Sequence, residues 1–341
     1  MSTTTAPATY SELMLDFQSR IRDATGVTAT ETIIKRHINV ALLDMHIGFA
    51  EKMPWAERTA VLVTQPSYTT GTVSISQGSV TLTGTSTLWT TVNAWNIANA
   101  RSGGKVVING GTEVYEVSSV GGAGTITLTS RFVAATVTDG SYVYFEDEYD
   151  LAADFLRPMD WQRFSNGAGG VELISRSEFR RRYPSNRITG RPIIATITDR
   201  APSGNTTPIR KVRFHRPPDA AYMLPYTYVT KYLATSTTGT AQESLVATTD
   251  EPIVPLRFRQ AIVLHALENW YRDRKDDTRS QEARAGYTDL MTRVVGDQEI
   301  GANHPSFRPR MSPYKNRARR PWGGGTGRYD QHGRFDRMES D

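Results

Sequence analysis

The densest group of residues that could do chemistry is a run of five carboxylates within nine positions. Carboxylate oxygens are the ligands that divalent cations such as Ca²⁺ prefer. The run, however, lacks the Asp-x-Asn-x-Asp-Gly order of a calcium loop, so a charged surface is the favoured interpretation and a metal site the alternative. The five residues are Glu146, Asp147, Glu148, Asp150 and Asp154.

Sequence motifs of the common enzyme classes are missing. There is no Walker phosphate loop, no Gly-x-Ser-x-Gly elbow and no His-Glu-x-x-His pair. The chain has no cysteine, which excludes thiolate nucleophiles, thiolate metal sites and disulfides. Its six histidines show no ligand spacing, since His37 and His46 are nine apart and His265 has Glu268 as its one nearby partner. We therefore predict that the protein is not an enzyme and uses no cofactor or metal.

The positive charge of the chain lies at its C-terminal end. The formal net charge is +5, and residues 301–341 hold nine Lys or Arg against four acids, so the first 300 residues are neutral. Repeated prolines and the run Gly323 to Gly325 interrupt any helix there. A neutral body argues against a protein that grips duplex DNA along its surface.

This basic segment also carries aromatic residues every six to eight positions. Such a pattern is typical of an extended arm that inserts aromatic anchors into a partner while its charges meet an acidic rim. Contact with DNA and plain disorder are the alternatives. The predicted contact residues of the arm are Phe307, Arg308, Arg310, Tyr314, Lys315, Arg317, Arg319, Arg320 and Trp322.

Helical patterns occupy both ends of the chain. Thr9-x-x-Glu12 and Thr28-x-x-Glu31 are capping boxes, and each precedes apolar residues at helical spacing. Near the other end, Pro255 suits a first helical position, and a further pattern stops before a glycine at 296. Four helices split in this way can meet if everything between them is an insertion. We predict a four-helix bundle.

The insertion begins with alternating apolar and polar residues that are typical of antiparallel strands. Two such segments flank Gln77-Gly78, and a two-residue turn there would pair Ile75 with Val80. Similar strands follow, which predicts a small β-barrel or sandwich that folds independently over residues 68–148. A second, irregular β region follows it, because prolines interrupt its strands.

Together these patterns predict an α+β protein with several parts. At 341 residues the chain is long for one domain and suits two. The predicted parts are an N-terminal helical hairpin (1–60), an inserted β domain (68–148), a mixed β region (149–250), C-terminal helices (251–300) and an extended basic arm (301–341).

Two sequence stretches carry a resemblance to a known family. The first is the hairpin Gly71-Thr-Val-Ser-Ile-Ser-Gln-Gly-Ser-Val-Thr-Leu-Thr-Gly84 followed by Trp89, and the second is Asp154-Phe-Leu-Arg-Pro158. Framed by helices at both ends, they resemble the head-to-tail connector (adaptor) proteins of tailed bacteriophages. The resemblance spans most of the chain. The hairpin is also similar to modules of tail fibres, so the framing helices carry the distinction.

The resemblance implies a ring, usually of twelve copies, that docks beneath the portal. The implied partners are the portal protein, neighbouring copies, downstream tail proteins and genomic DNA that passes through the lumen without sequence-specific binding. The implied location is the head-to-tail interface of the virion, with assembly in the host cytoplasm. No catalytic residues come with this family. A tail-fibre or baseplate attachment subunit is the alternative function.

A ring gives the charged runs a role. Each contact in a ring joins one face of a subunit to a different face of the next, so acidic and basic patches of one chain complement each other. We predict such inter-subunit patches at Glu146, Asp147, Glu148 and Asp150 and at Arg180, Arg181 and Arg182. An ordinary exposed charge run is an equal alternative, and arginines that touch DNA in the lumen are a weaker one.

The sequence predicts no membrane partner. A helix needs about 18 to 20 consecutive apolar residues to span a bilayer, and no stretch of the sequence approaches this length. The start Met1-Ser2-Thr3-Thr4-Thr5 also lacks the basic and then apolar pattern of a secretion signal, which argues against a secreted adhesin.

Overall fold

The computed structural model describes residues 7–25, 29–49, 54–161, 170–183, 188–200 and 209–303 and two short strands near the C-terminus. Within these residues the protein is mixed α and β, as expected from the sequence. The α-helices are α1 (Tyr10–Thr25), α2 (Glu31–Phe49), α3 (Arg176–Arg182), α4 (Gln260–Asp273) and α5 (Asp277–Asn303), with short 3₁₀ helices at Pro54–Ala56 and Leu256–Phe258.

The strands fall into five sheets, and nearly all of them pair antiparallel. The strands are β1 (Glu57–Val63), β2 (Thr72–Ile75), β3 (Thr81–Thr85), β4 (Lys105–Ile108), β5 (Tyr115–Gly122), β6 (Thr125–Leu128), β7 (Val137–Gly140), β8 (Tyr142–Phe145), β9 (Glu148–Asp150), β10 (Phe155–Trp161), β11 (Glu172–Leu173), β12 (Ile194–Arg200), β13 (Ile209–His215), β14 (Met223–Thr230), β15 (Ala234–Thr235), β16 (Ala241–Gln242), β17 (Glu251–Pro252), β18 (Arg328–Tyr329) and β19 (Phe335–Asp336).

The chain divides into two compact units, Met1–Thr292 and Arg293–Asp341. In the second unit, β18 and β19 pair antiparallel, with Tyr329 opposite Phe335. All remaining strands belong to the first unit. None of the helices in the described part of the chain combines the length and the hydropathy needed to cross a bilayer.

The first predicted capping box forms at the start of α1 in a modified way, because Glu12 bonds to Ala8 and not to Thr9. The Thr9 hydroxyl accepts a hydrogen bond from the Glu12 N–H at 3.4 Å, and the Glu12 carboxylate accepts one from the Ala8 N–H at 2.5 Å. The second box is wrong, because α2 begins at Glu31, which is its first residue and not its third. In agreement with this start, the backbone carbonyl of Thr30 accepts the first helical hydrogen bonds, from the N–H groups of Ile33 and Ile34. Thr28 lies outside the described residues.

Helices from both ends of the chain meet in one apolar cluster. Helices α1, α2 and α4 pack against one another, and Trp270 of α4 lies edge-on to Phe17 of α1 and His37 of α2, at 6.0 and 5.5 Å between ring centres. The start of α5 contacts α4, where Tyr287 stacks on His265 at 4.6 Å. The fully buried side chains of this cluster include Leu13, Phe17, Ile21, Ile38, Leu42, Ile262, Val263 and Ala266.

The bounds of the C-terminal helices differ from those that the sequence predicted. Pro255 precedes a 3₁₀ turn, and α4 begins only at Gln260. Helix α5 continues past Gly296 to Asn303. The 27 residues of α5 include three glycines, at 286, 296 and 301, and the helix continues through them because each costs only about 1 kcal/mol relative to alanine.

Two sheets build the body to which the helices attach. One has the order β1-β14-β10, and the other has the order β11-β12-β13-β9. They share a buried core that contains Leu62, Tyr149, Leu151, Phe155, Phe214, Leu224, Tyr226 and Tyr228. Since β1 spans Glu57–Val63, the boundary that the sequence suggested at residue 60 falls inside a strand of this body.

The inserted segment forms a curled, seven-stranded half-barrel. Its strand order is β7-β2-β3-β6-β5-β4-β8, so β7 and β8 lie at opposite edges. Ser141 alone connects these two strands, which requires the sheet to curl until its edges approach each other. Inside the curl, Trp89 is fully buried and its indole N–H donates to the Tyr142 hydroxyl at 3.0 Å. The expected small barrel or sandwich is therefore a half-barrel.

The first hairpin of the half-barrel has a different register from the one predicted. Val73 lies opposite Gly84 and Ser74 opposite Thr83, so Ile75 does not pair with Val80. The shift covers two positions, which keeps the same side chains on the buried face.

The cause of this shift is a third segment. The Gly78 N–H donates to the Phe132 carbonyl at 2.7 Å, and the Phe132 N–H donates to the Ser79 carbonyl at 2.8 Å. The Leu128 N–H donates to the Val80 carbonyl at 2.7 Å. The carbonyls of Ser79 and Val80 therefore pair with residues 128–132, while the Ser79 N–H closes the turn on the Ser76 carbonyl at 3.0 Å. Gly78 turns the chain with a φ of +80°.

Candidate functional site

A group of buried charges lies where the half-barrel joins the body. Glu146 and Asp147 connect β8, the last strand of the half-barrel, to β9, which belongs to the body sheet. The Asp147 carbonyl accepts the Phe214 N–H of β13 at 2.8 Å. We call this group the charged junction; it consists of Arg101, Lys105, Glu146, Asp147 and Arg213.

Glu146 is 5% exposed and has its hydrogen-bonding capacity filled. Arg101 binds it through two nitrogens, with Nε 3.0 Å from Oε1 and Nη2 on Oε2. The amide of Gln65 donates to Oε1 at 2.7 Å, and the Tyr144 hydroxyl donates to the same oxygen at 2.6 Å. A buried carboxylate with a bidentate arginine and further donors is a strong, oriented contact.

Asp147 is fully buried and connects the half-barrel to the body. Lys105 of β4 places its ammonium 2.5 and 2.6 Å from the two carboxylate oxygens. From the other side, Arg213 of β13 places Nε 3.1 Å from Oδ2. Since Lys105 belongs to the half-barrel and Arg213 to the body, this single carboxylate holds one against the other.

Burial and the charge of Glu146 shift the pKa values of three groups at this place, Arg101 and the hydroxyls of Tyr144 and Tyr149. Burial raises the pKa of the Tyr144 and Tyr149 hydroxyls, and the negative charge of Glu146 raises both further. Burial alone would lower the pKa of Arg101, but its hydrogen bond to Glu146 and the charge of that residue raise it. The tyrosines and Arg101 therefore keep their protons at neutral pH and act as hydrogen-bond donors.

The other carboxylates of the acidic run lie in different surroundings. Glu148 is 3.8 Å from Arg213, and the 62% exposed Asp150 pairs with Lys211 at 2.8 Å. Asp154 accepts hydrogen bonds from the hydroxyls of Tyr228 and Thr230, at 2.6 and 2.7 Å. Among the described residues, no three His, Asp or Glu side chains are grouped to hold a metal ion.

The arginine run lies on the short helix α3. Phe179 is buried and anchors the helix, while Arg180, Arg181 and Arg182 are all exposed. Arg182 pairs with Glu178 one turn earlier at 2.6 Å.

A cavity of about 250 Å³ is lined by side chains of α3 and of strands β9, β12 and β13. Arg180 and Glu148 both line it, so the structure brings one member of each charged run together within a single chain. Arg181 and Arg182 do not line this cavity. Its lining residues are Glu148, Arg176, Phe179, Arg180, Thr196, Thr198, Asp199 and Arg213.

Sequence reasoning missed the cations that neutralise the acidic run. Arg101 precedes β4 and Lys105 is its first residue, so both are far from the acidic run in the sequence. On β13, Lys211 and Arg213 alternate with the buried Val212 and Phe214. This alternation is the signal that the sequence offers. One face of the strand is buried, so Lys211 and Arg213 share the other face and require partners of opposite charge there.

The predicted contact residues of the basic arm lie outside the described residues. They are Phe307, Arg308, Arg310, Tyr314, Lys315, Arg317, Arg319, Arg320 and Trp322.

A comparison of the sequence with protein-family models and with curated proteins finds no match. The function of the chain is therefore inferred from its residues and their geometry.

Proposed function

We propose that the chain is a structural head-to-tail adaptor of a tailed bacteriophage, which forms a ring beneath the portal. The observation that supports this proposal is the contact between helices from the two ends of the chain, with Trp270 edge-on to Phe17 at 6.0 Å, while a half-barrel is inserted between them. Helices from both ends of the chain that frame an inserted β module are the arrangement that separates connector proteins from the β-rich subunits of tail fibres.

In the proposed ring, α1, α2, α4 and α5 form a four-helix bundle and residues 301–341 extend from it as an arm. Twelve copies surround a lumen through which genomic DNA passes without sequence-specific contacts. The neutral first 300 residues suit this role, because a strongly basic ring would hold DNA in place through its phosphates. The proposed location is the head-to-tail interface of the virion, after assembly in the host cytoplasm, and no catalytic role is assigned.

The proposed contacts between copies use the exposed charges. Arg180, Arg181 and Arg182 project from α3 and can meet Asp150 of the next subunit, since a ring joins two different faces. Glu146 and Asp147 contribute less than the sequence suggested, because cations of the same chain already neutralise them.

The arm is the proposed attachment to the portal or to a neighbouring copy. Its aromatic residues, from Phe307 to Trp322, serve as anchors and its arginines meet acidic groups on the partner. A basic arm on a neutral body is suited to tie one ring to another.

Negative-stain images and native mass of the purified chain, alone and mixed with its portal, test this function. A ring, or a ring that forms only with the portal, is the expected result. We expect assembly to need the portal, because partly polar contacts require many copies to be held together. A trimeric rod would favour the alternative, a tail-fibre or baseplate attachment subunit, and a monomer that ignores the portal would contradict both.

The arm has its own test. Deleting residues from Gly301 onward should abolish stable attachment to the portal and leave the melting of the body unchanged. As a matched control, the full chain with Lys275→Ala removes one exposed charge outside both the arm and the proposed inter-subunit patches, and it should still attach. A truncated chain that attaches as well as the full chain would exclude the arm as an anchor.

A further inference from the structure

Helix α2 is apolar on two opposite faces, and the described part of the chain covers one of them. The covered face packs against α1 and α4 and consists of Ile34, Ile38, Ala41, Leu42 and Met45, all at most 5% exposed. On the opposite face, Ile33 and Val40 are each 40% exposed, Leu43 is 44% and Ile47 is 55% exposed. Helices that are apolar on all sides are normally buried on all sides.

The exposed face has the spacing of a helix-pairing seam. Ile33, Val40 and Ile47 are seven residues apart, and Leu43 follows Val40 by three. These are the a and d positions of a heptad repeat, whose side chains interlock with those of a second helix. Arg36 occupies the one d position that is not apolar.

The charges on this face are arranged symmetrically around Val40. Arg36 precedes Val40 by four residues and Asp44 follows it by four, and Ile33 and Ile47 lie seven before and seven after. When two copies of α2 pack antiparallel about Val40, Arg36 therefore faces the partner's Asp44, and Ile33 faces the partner's Ile47. Both ion pairs form at once, because a two-fold contact repeats every interaction.

We propose that free chains pair through α2 as an antiparallel, two-fold dimer centred on Val40. A parallel pair is disfavoured because it would set Arg36 against the same residue of its partner. Within one chain Arg36 and Asp44 are about 12 Å apart along the helix, so they do not pair there. Asp44 is half exposed and lies 3.4 Å from His265 Nε2, which leaves room for a second cation on its outer side.

This dimer is weak and distinct from the proposed ring. A seam one helix wide covers less than the about 800 Å² per partner of a typical stable complex, so the dimer depends on concentration. A two-fold contact is closed, whereas a cyclic ring uses head-to-tail contacts. The inference therefore goes beyond the adaptor function and does not rest on it.

Sedimentation velocity of the full-length chain, from low to high micromolar concentration, tests the dimer. The wild-type chain should show a monomer–dimer equilibrium. Val40→Glu should abolish the dimer, because it sets like charges against each other at the two-fold axis. The matched control is Leu15→Glu, at an α1 residue that is 67% exposed and outside the seam, and it should leave the dimer intact. Circular dichroism confirms that both variants are folded.

Charge reversal tests the orientation. Arg36→Asp and Asp44→Arg should each raise the dissociation constant at least about tenfold, and the double variant should restore it. Restoration requires contact between two chains, given the separation of the residues within one helix. Because the protein has no cysteine, Val40→Cys should also give a disulfide-linked dimer on oxidation, whereas Leu15→Cys should not.

Several results would overturn the dimer. They are a monomer at every concentration, a dimer that survives Val40→Glu, a ring formed by the free chain in place of a dimer, and a double reversal that restores nothing. Ring formation is measured in a separate mixture that contains the portal. The dimer experiments can therefore be interpreted whether or not the chain forms a ring on the portal.

Discussion

Tyr68 and Tyr144 exchange two backbone hydrogen bonds, with N–H to carbonyl distances of 2.8 Å in one direction and 2.9 Å in the other. The segment that enters the half-barrel and the strand that leaves it are therefore antiparallel neighbours. The insert attaches through one narrow place, and a short turn can close the chain there without moving the body.

Excision of the half-barrel follows from this pairing. Replacing residues 70–142 by Asn-Gly, a two-residue hairpin turn, should leave a folded body with the helical circular dichroism of α1, α2 and α4. The excision removes Arg101 and leaves Glu146 without its bidentate cation, so adding Glu146→Gln should stabilise the shortened chain. Adding Asp150→Asn, at an exposed residue, should not. Loss of helical signal or of cooperative melting in the Glu146→Gln version would contradict the proposed boundary.

Asp147 should contribute far more to stability than Asp150, although both pair with a lysine. Asp147→Asn leaves Lys105 without its counter-charge at 15% exposure, which should lower the free energy of unfolding by about 3 kcal/mol. Asp150→Asn removes a pair whose carboxylate is 62% exposed, and surface pairs of this kind are worth at most about 1 kcal/mol. Guanidinium unfolding of the two variants measures both. Equal losses would show that the charged junction does not hold the half-barrel against the body.

Gly104 should be irreplaceable because of its neighbour Tyr144. A Cβ at Gly104 would clash with the ring and hydroxyl of Tyr144. That ring is fully buried, and its hydroxyl donates to Glu146, so it cannot move aside without breaking the junction. Gly104→Ala should therefore destabilise the protein by about 2 kcal/mol or more. Gly122→Ala is the control, since nothing lies within 4 Å of a Cβ there, and thermal melting compares the two.

Local patterns in the sequence predicted the parts of the fold that depend on near neighbours. The cap of α1 uses residues three and four apart, and it was found at Thr9 and Glu12. The alternation of Val73, Ile75 and Leu82 likewise placed the buried face of the half-barrel correctly. Such patterns report which face of an element is apolar, because side-chain direction repeats with a fixed period.

Features that depend on distant partners could not be predicted in this way. Arg101 and Arg213 are 45 and 66 positions from the carboxylates they bind, so the acidic run appeared exposed in the sequence. The register of the first hairpin changed because Phe132 bonds to both Gly78 and Ser79. In both cases a tertiary contact outweighed a local preference that is worth about 1 kcal/mol or less.

His46 should make the protein less stable in mild acid. Its side chain is 4% exposed, and Nε2 lies 2.7 Å from the Thr230 carbonyl, so that nitrogen must carry the donated hydrogen. Burial lowers the pKa of His46 below its usual 6.5, although the hydrogen bond to Thr230 opposes this shift. The pKa values of His37 and His215 are also lowered, in each case mainly by burial.

The sign of the pH effect follows from these shifts. As the pH falls below 6.5, the unfolded chain takes up protons that the folded chain still excludes, so the free energy of unfolding decreases until the folded pKa is reached. Above 6.5 this stabilisation is fully present. His46→Gln retains a donor for Thr230 without a titrating group and should reduce the pH dependence. Met45→Leu, a buried neighbour of similar volume, should lower stability equally at each pH. Guanidinium midpoints on both sides of pH 6.5 measure this difference, and a wild-type protein that gains stability in acid would contradict the argument.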